Sequence, residues 1–203
     1  MAAPVASLDR VRARRGGRSA RVREEVLAAA LAELATGGFE GLSHLAVARR
    51  AGVDPATVYR RWPTRVRLAL DAVSEHASAA VPIPDTGSLR GDMRAFHREV
   101  RALLGDPEAR RIFRALAASS FDEDPDVGEA SREFWRGRFE RAAVMVDRAV
   151  KRGEIPPPEE PLWLIEQLVA PAYFRTLVSL EPLDESFGQR SVEQVLRLAG
   201  AHN

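Results

Sequence analysis

Apolar residues recur along this chain at helical spacing, and no stretch alternates as a half-buried strand would. Val22, Val26, Leu27, Ala30, Leu31 and Leu34 fall at intervals near 3.6 and predict a helix over residues 18–36. Thr36-Gly37-Gly38 reads as its glycine stop, with Phe39 expected in the core. Leu42, Leu45 and Ala48 then mark one side of a short helix that Ser43 caps and Gly52 ends. Asp54 is a second N-cap, and Pro55 suits a first helical position because its missing N–H has no partner there anyway. Val58 and Trp62 form the inner face of the helix that follows. Small residues at Ala48 and Gly52 let the two short helices cross closely. The layout over residues 42–67 is a helix-turn-helix, whose second helix enters a DNA major groove. Thr57, Tyr59, Arg60, Arg61 and Arg65 point elsewhere and are suited to phosphates. This stretch reads as the DNA-contacting part of a transcriptional regulator.

The remainder is helical by the same criterion. Thr64 caps a helix over about residues 65–80, with Val66, Leu70 and Val73 inward. VPIPDTG at 81–87 has two prolines, a glycine and no periodicity, and is the expected domain boundary. The resulting expectation is a basic arm over 1–17, a DNA-binding domain over 18–80 ending in a bridging helix, and a second helical domain over 81–203. Ser88 begins a helix to about Leu104 through Leu89, Met93, Phe96 and Val100. Asp106-Pro107 and Asp124-Pro125 each start another, the second running to about Lys151 with Phe134, Trp135, Phe139, Ala142, Val146 and Val150 on its apolar side. Gly153 stops it. Residues 161–180 are apolar on most sides, with a kink expected at Pro171, and 190–200 form a last short helix. The fold class is all-α.

Charge sharpens this picture. The 203 residues sum to +1, yet residues 1–70 carry +7 and residues 71–203 carry −6. A basic end on a mildly acidic remainder suits a polyanion at one end. Arg10, Arg12, Arg14 and Arg15 lie in the low-complexity arm, which reads either as a reach toward DNA or as a solvated tail. With no cysteine, disulfides, thiolate catalysis and cysteine zinc sites are excluded. No apolar run approaches the ~18 residues of a membrane span, and no apolar stretch follows the basic N-terminus as in a secretory signal, so a cytoplasmic protein is expected. The four histidines lack partners at metal-ligand spacing. Phosphate-binding glycine loops and a nucleophile elbow are absent. No catalytic residue, metal or cofactor is expected.

The residues from Gly52 to Arg65 resemble the tetracycline-repressor (TetR) family of bacterial regulators. Ala51-Gly52-Val53, Thr57-Val58-Tyr59, Arg61-Trp62 and Arg65 carry the likeness, with Gly37-Gly38-Phe39 at the matching distance upstream. The resemblance implies that Tyr59, Thr57 and Arg65 contact DNA phosphates. Arg61 stands where His is frequent and Trp62 where Phe is. Asp54 departs from the usual Ser; it repels phosphate, still caps the helix, and is able to accept from a cytosine amino group. Ala56 offers a methyl to a base edge, and Arg60 is the candidate reader of guanine or a further positioning contact. Ser43 and His44 start a helix whose N-terminus favours anions, and join the expected DNA contacts. Arg49 and Arg50 read as a solvated face.

The resemblance further implies a C-terminal domain that dimerises and binds a small molecule. A two-fold dimer would set its recognition helices about one DNA turn, roughly 34–36 Å, apart on a near-palindromic operator. Leu164, Leu168 and Tyr173 are candidates for the dimer interface, against a role in intrachain core. Phe96, His97, Phe113, Trp135, Phe139, Met145, Trp163 and Phe174 are candidates for the walls of a pocket for a hydrophobic or aromatic ligand, or else plain core. Repression relieved by ligand is the family's commoner sign. A ligand-independent dimeric regulator and an architectural DNA-binding protein are the alternatives.

Overall fold

A computed structural model describes the backbone of residues 6–119 and 125–201, and the side chains of residues 19–117 and 127–201. The described residues form nine α-helices and no strand: α1 Ala6–Gly41, α2 His44–Ala51, α3 Pro55–Arg61, α4 Arg65–Ala80, α5 Leu89–Gly105, α6 Pro107–Ser119, α7 Pro125–Lys151, α8 Pro161–Phe174 and α9 Glu185–Leu198. The chain separates into two compact units, Met1–Ala72 and Val73–Asn203, so the division falls within α4.

In the first unit α1 packs on α2 and α2 on α3. Val26, Leu27, Ala30, Leu34, Leu42, Val47, Ala48, Val58 and Trp62 are buried and form its core. Two expectations need correction, and a third holds. The backbone is helical from Ala6, so part of the stretch read as a structureless arm is helix; the side chains of its arginines lie outside the described residues. The glycine stop falls where the sequence puts it: the helical backbone breaks at Gly38, and α1 joins two helices across that kink. Gly38 takes φ +63°, a bend only glycine adopts without strain, and helix resumes to Gly41. Leu45 is 58% exposed while Val47 is buried, which rotates the inner face of α2 away from the side first marked.

In the second unit α5 is the hub, packing against α6, α7, α8 and α9. Its caps follow the sequence: the Ser88 hydroxyl accepts from the Gly91 amide at 3.1 Å. At α6, Asp106 accepts from Glu108 and Ala109 at 3.0 and 2.8 Å. The Asp124 cap lies outside the described residues. α8 continues through Pro171, and the backbone then widens into a π-helical segment, Arg175–Ser179, ended by Leu180 at φ +56°. Thr176 donates its hydroxyl to the Ala172 carbonyl at 2.9 Å there. The last helix is longer than read. It starts at Glu185 because Asp184 caps it, accepting from the Phe187 amide at 2.7 Å.

The linker over residues 81–88 is fastened to this unit. Buried Asp92 accepts from the Thr86 amide and hydroxyl at 2.6 and 2.8 Å. Arg148 donates to the Pro84 carbonyl at 2.9 Å, and Glu154 accepts from the Leu89 amide at 2.6 Å.

Candidate nucleic-acid interface and apolar cleft

The turn between α2 and α3 is built from local bonds. Gly52 takes φ +67°, which lets the Val53 amide reach back to the Ala48 carbonyl at 3.0 Å and close the end of α2. Ser43 accepts from the Ala46 amide at 3.1 Å, and Asp54 from the Ala56 amide at 2.8 Å. Both helix starts therefore satisfy amides that would otherwise lack partners.

Two aromatic residues fix where α3 ends. The His44 Nε2–H donates to the Trp62 carbonyl at 2.7 Å, and the Trp62 indole N–H donates to Asp71 on α4 at 2.9 Å. His44 is 5% exposed, and its ring stacks on Tyr59 at 4.3 Å between centroids and 15° between planes. This corrects the reading of His44 as a DNA contact: both its Nε2–H and its ring face are engaged within the protein. It holds the Tyr59 ring in place instead. Ser43 is half-buried with its hydroxyl in the cap.

What α3 offers to a partner is compact. Asp54, Ala56, Tyr59, Arg60, Arg61 and Arg65 are exposed, and Thr57 is half-buried. Tyr59 is 47% exposed although one ring face is covered. Arg65 lies over the Phe39 ring at 5.2 Å, and Arg61 over Trp62 at 5.5 Å with a bond to Ser19 at 3.4 Å. These contacts are made by the guanidinium groups themselves, on side chains that remain exposed at the surface. Arg50 pairs with Glu33 at 2.7 Å and braces α2 on α1.

In the second unit, aromatic residues of α6, α7 and α8 meet edge to face. Trp135 and Tyr173 lie 4.9 Å apart at 90°, Phe113 and Tyr173 5.4 Å apart at 76°. Beside them an open cleft of about 380 Å³ is lined by Trp135, Phe139, Glu166, Val169, Ala170 and Tyr173. A smaller inner void of about 20 Å³ shares four of these walls and adds Phe96, Val100, Arg138 and Ile165. Burial lowers the pKa of Arg138 and raises that of Tyr173, with the attraction between the neighbouring guanidinium and phenol opposing both shifts.

The expected pocket walls divide. Phe96, Trp135 and Phe139 line these spaces, and Phe113 supports Tyr173 from behind. His97 is 1% exposed and packs on Phe187 at 5.6 Å between ring centroids. Met145 is fully buried core. Trp163 and Phe174 are 42% and 57% exposed and line neither space. Leu164 and Leu168 are buried within their own chain, which removes them from an interface; the helix turns those positions inward. Tyr173 lines the cleft. Arg138 and Glu166 were missed by the sequence reading; the signal was an arginine interrupting the aromatic stripe between Trp135 and Phe139.

Among the described residues, no group of three His, Asp or Glu side chains gathers for a metal, and no helix is long and apolar enough to cross a membrane.

Comparison with known proteins places this arrangement. Residues 26–72 match the model of the bacterial regulatory proteins of the tetR family, and residues 83–195 match a tetracyclin repressor-like C-terminal domain. The HTH-type transcriptional regulator AqdR of Rhodococcus erythropolis is 38% identical over 138 residues, 68% of this chain and 66% of that protein. The HTH-type regulator Rv1556 of Mycobacterium tuberculosis is 30% identical over 175 residues, 85% and 84% of the two chains. The crystal structure of the TetR family transcription regulator SCO0332 is 32% identical, with a TM-score of 0.76 over 87% of this chain and 97% of that one. The chain belongs to the TetR family of bacterial transcriptional regulators, DNA-binding proteins and not enzymes.

Proposed function

We propose that this regulator is a repressor, released from a near-palindromic operator when a small hydrophobic or aromatic molecule enters the cleft of its second unit. The observation that carries the ligand response is the cleft itself: about 380 Å³, walled by Trp135, Phe139, Val169 and Tyr173, within the range of small-molecule sites. Release follows if the ligand binds the DNA-free state more tightly than the DNA-bound one.

On the DNA side, Thr57, Tyr59 and Arg65 bind phosphates and set the register, with Arg61 beside them. Arg60 and Ala56 meet base edges. Asp54 and Ser43 keep the helix starts in order. The protein acts in the cytoplasm as a homodimer. Trp163, Phe174, Val178, Leu180 and Leu198 are large, apolar and exposed along α8, the π segment and α9. A second copy covers them, in place of the buried Leu164 and Leu168.

The test is a titration of the purified protein against the intergenic DNA next to its own gene and a scrambled competitor, at two salt concentrations. Specific binding survives competitor and moderate salt, and a footprint gives half-sites roughly one turn apart. Equal loss to scrambled DNA with a steep salt slope would instead identify an architectural DNA-binding protein. A specific complex that no small molecule dissociates would leave a ligand-independent regulator.

A further inference from the structure

One cation interrupts the aromatic stripe of α7. The Arg138 guanidinium lies 5.8 Å from the Phe134 ring centroid and forms part of the wall of the inner void, which Tyr173 also lines. Among the described residues no carboxylate pairs with it. Arg141, one turn further along α7, adds positive charge nearby. A guanidinium has five donors and keeps its charge at any ordinary pH, so it offers the void a ready partner for an acceptor. Half-buried at the wall of the void, this charge is partly withdrawn from water without a counter-ion, which carries a cost. An anion delivered to it would remove that penalty.

The two spaces are graded in the same sense. The open cleft and the inner void share Trp135, Phe139, Val169 and Tyr173. Arg138 lines only the inner void, and exposed Glu166 lines only the open cleft. The void, at about 20 Å³, has room for an oxygen-sized group rather than a ring. The cleft has room for a ring system, and its walls are ring edges and aliphatic side chains.

We propose that the ligand of this cleft is an aromatic acid. Its carboxylate is bound by Arg138 at the inner end, supported by the Tyr173 hydroxyl. Its rings lie between Trp135, Phe139, Val169 and Tyr173. Any hydrogen-bond donor it carries at the far end meets Glu166. A planar fork facing a planar carboxylate is the geometry in which arginine exceeds any other cation. This inference rests on the reading of the cleft as the ligand site.

The experiment uses the full chain, with 2-naphthoate and its neutral counterpart 2-naphthamide as probes, followed by calorimetric titration. The wild-type protein is expected to bind the acid at least about tenfold more tightly than the amide. In Arg138→Gln that preference disappears while amide affinity stays within about twofold; Arg138→Lys retains part of it. Thermal melting and operator binding of Arg138→Gln at wild-type levels establish that it is folded. If it does not fold, the acid–amide comparison on the wild-type chain decides alone. An amide that binds as tightly as the acid, or an acid preference that persists in Arg138→Gln, overturns the acid proposal and leaves the ligand site standing. Absence of binding by either probe overturns both.

Discussion

The two units of this protein use their polar side chains differently. In the first unit the caps that shape the DNA-facing turn are short in sequence, and the longer bond of His44 to the Trp62 carbonyl, over 18 positions, closes the far end of α3. Ser43 and Asp54 reach three and two residues ahead, and Trp62 reaches nine, to Asp71. In the second unit similar local caps are joined by long bonds. Glu154 holds the Leu89 amide, Arg148 the Pro84 carbonyl, and Arg101 the Leu183 and Asp184 carbonyls, across 64 to 83 positions. Local bonds display a helix in one fixed pose, as a reader of a rigid duplex requires. Distant bonds assemble walls around a space, whose shape depends on how several helices settle.

The largest expected effect breaks the display half of that contrast. Trp62→Ala removes a nearly fully buried ring and its bond to Asp71. A loss of about 3–5 kcal/mol follows from large-to-small truncation in a core, comparable with the whole stability of a small domain. Calorimetry should show an early transition and operator binding should vanish, while helix protection in α5 and α9 by hydrogen exchange persists. Concerted loss of protection in both regions would mean that the units are not energetically separate.

The same contrast explains what was legible. Every cap in the helix-turn-helix is visible in sequence because the capping side chain and its amide lie within three residues. The turn at Gly52 and the inward Val58 and Trp62 are local patterns for the same reason. His44 was misread because its bond to the Trp62 carbonyl spans 18 positions. Leu164 and Leu168 were misassigned because α8 is apolar nearly all round, and periodicity cannot choose a face when every face qualifies. Arg138 went unnoticed because its meaning depends on the void beside it. Asp184 is a readable cap, but the apolar run after residue 190 is the stronger signal and sets the expected start of the helix too late.

Next in size is a pH effect confined to the second unit. Burial pushes the His97 pKa down to about 4, helped by the positive charge of Arg101 and opposed by Glu185. The unfolded imidazole titrates near 6.5, so between the two values the unfolded chain takes up a proton that the folded chain refuses. The stability from neutral His97 is fully present above pH 6.5 and declines as pH falls toward 4. The loss amounts to roughly 3 kcal/mol. Urea midpoints at pH 7 and pH 4.5 should differ more for the wild type than for His97→Leu. An equal difference would remove His97 as the cause.

Tyr59 separates display from packing by a smaller amount. Tyr59→Phe keeps the ring against His44 and removes only the hydroxyl. Affinity should fall about tenfold on operator and scrambled DNA alike, because a phosphate contact carries no sequence information, with the melting temperature unchanged. His44→Ala should lower the melting temperature, since it strips the Trp62 carbonyl of its donor and Tyr59 of its platform. If Tyr59→Phe also lowers the melting temperature and its affinity tracks that loss, the phenol is part of the packing and not of the interface.

The smallest effect concerns Asp54, where cap and contact are the same atoms. Its carboxylate accepts from the Ala56 amide and is exposed at the start of α3, so it both stabilises the helix and repels a phosphate. Asp54→Ala should cost about 1 kcal/mol by loss of the cap. Asp54→Asn keeps an acceptor for the amide and should leave stability within a few tenths of a kcal/mol. If the acid serves only as a cap, Asp54→Asn binds every sequence somewhat more tightly, since one negative charge has left a polyanion-facing surface. If the carboxylate also accepts from a cytosine amino group, Asp54→Asn relaxes selection at a single operator position while affinity for the other positions holds. Selection from randomised operator DNA with both variants distinguishes the two, because a cap acts on all sequences alike and a base contact acts on one.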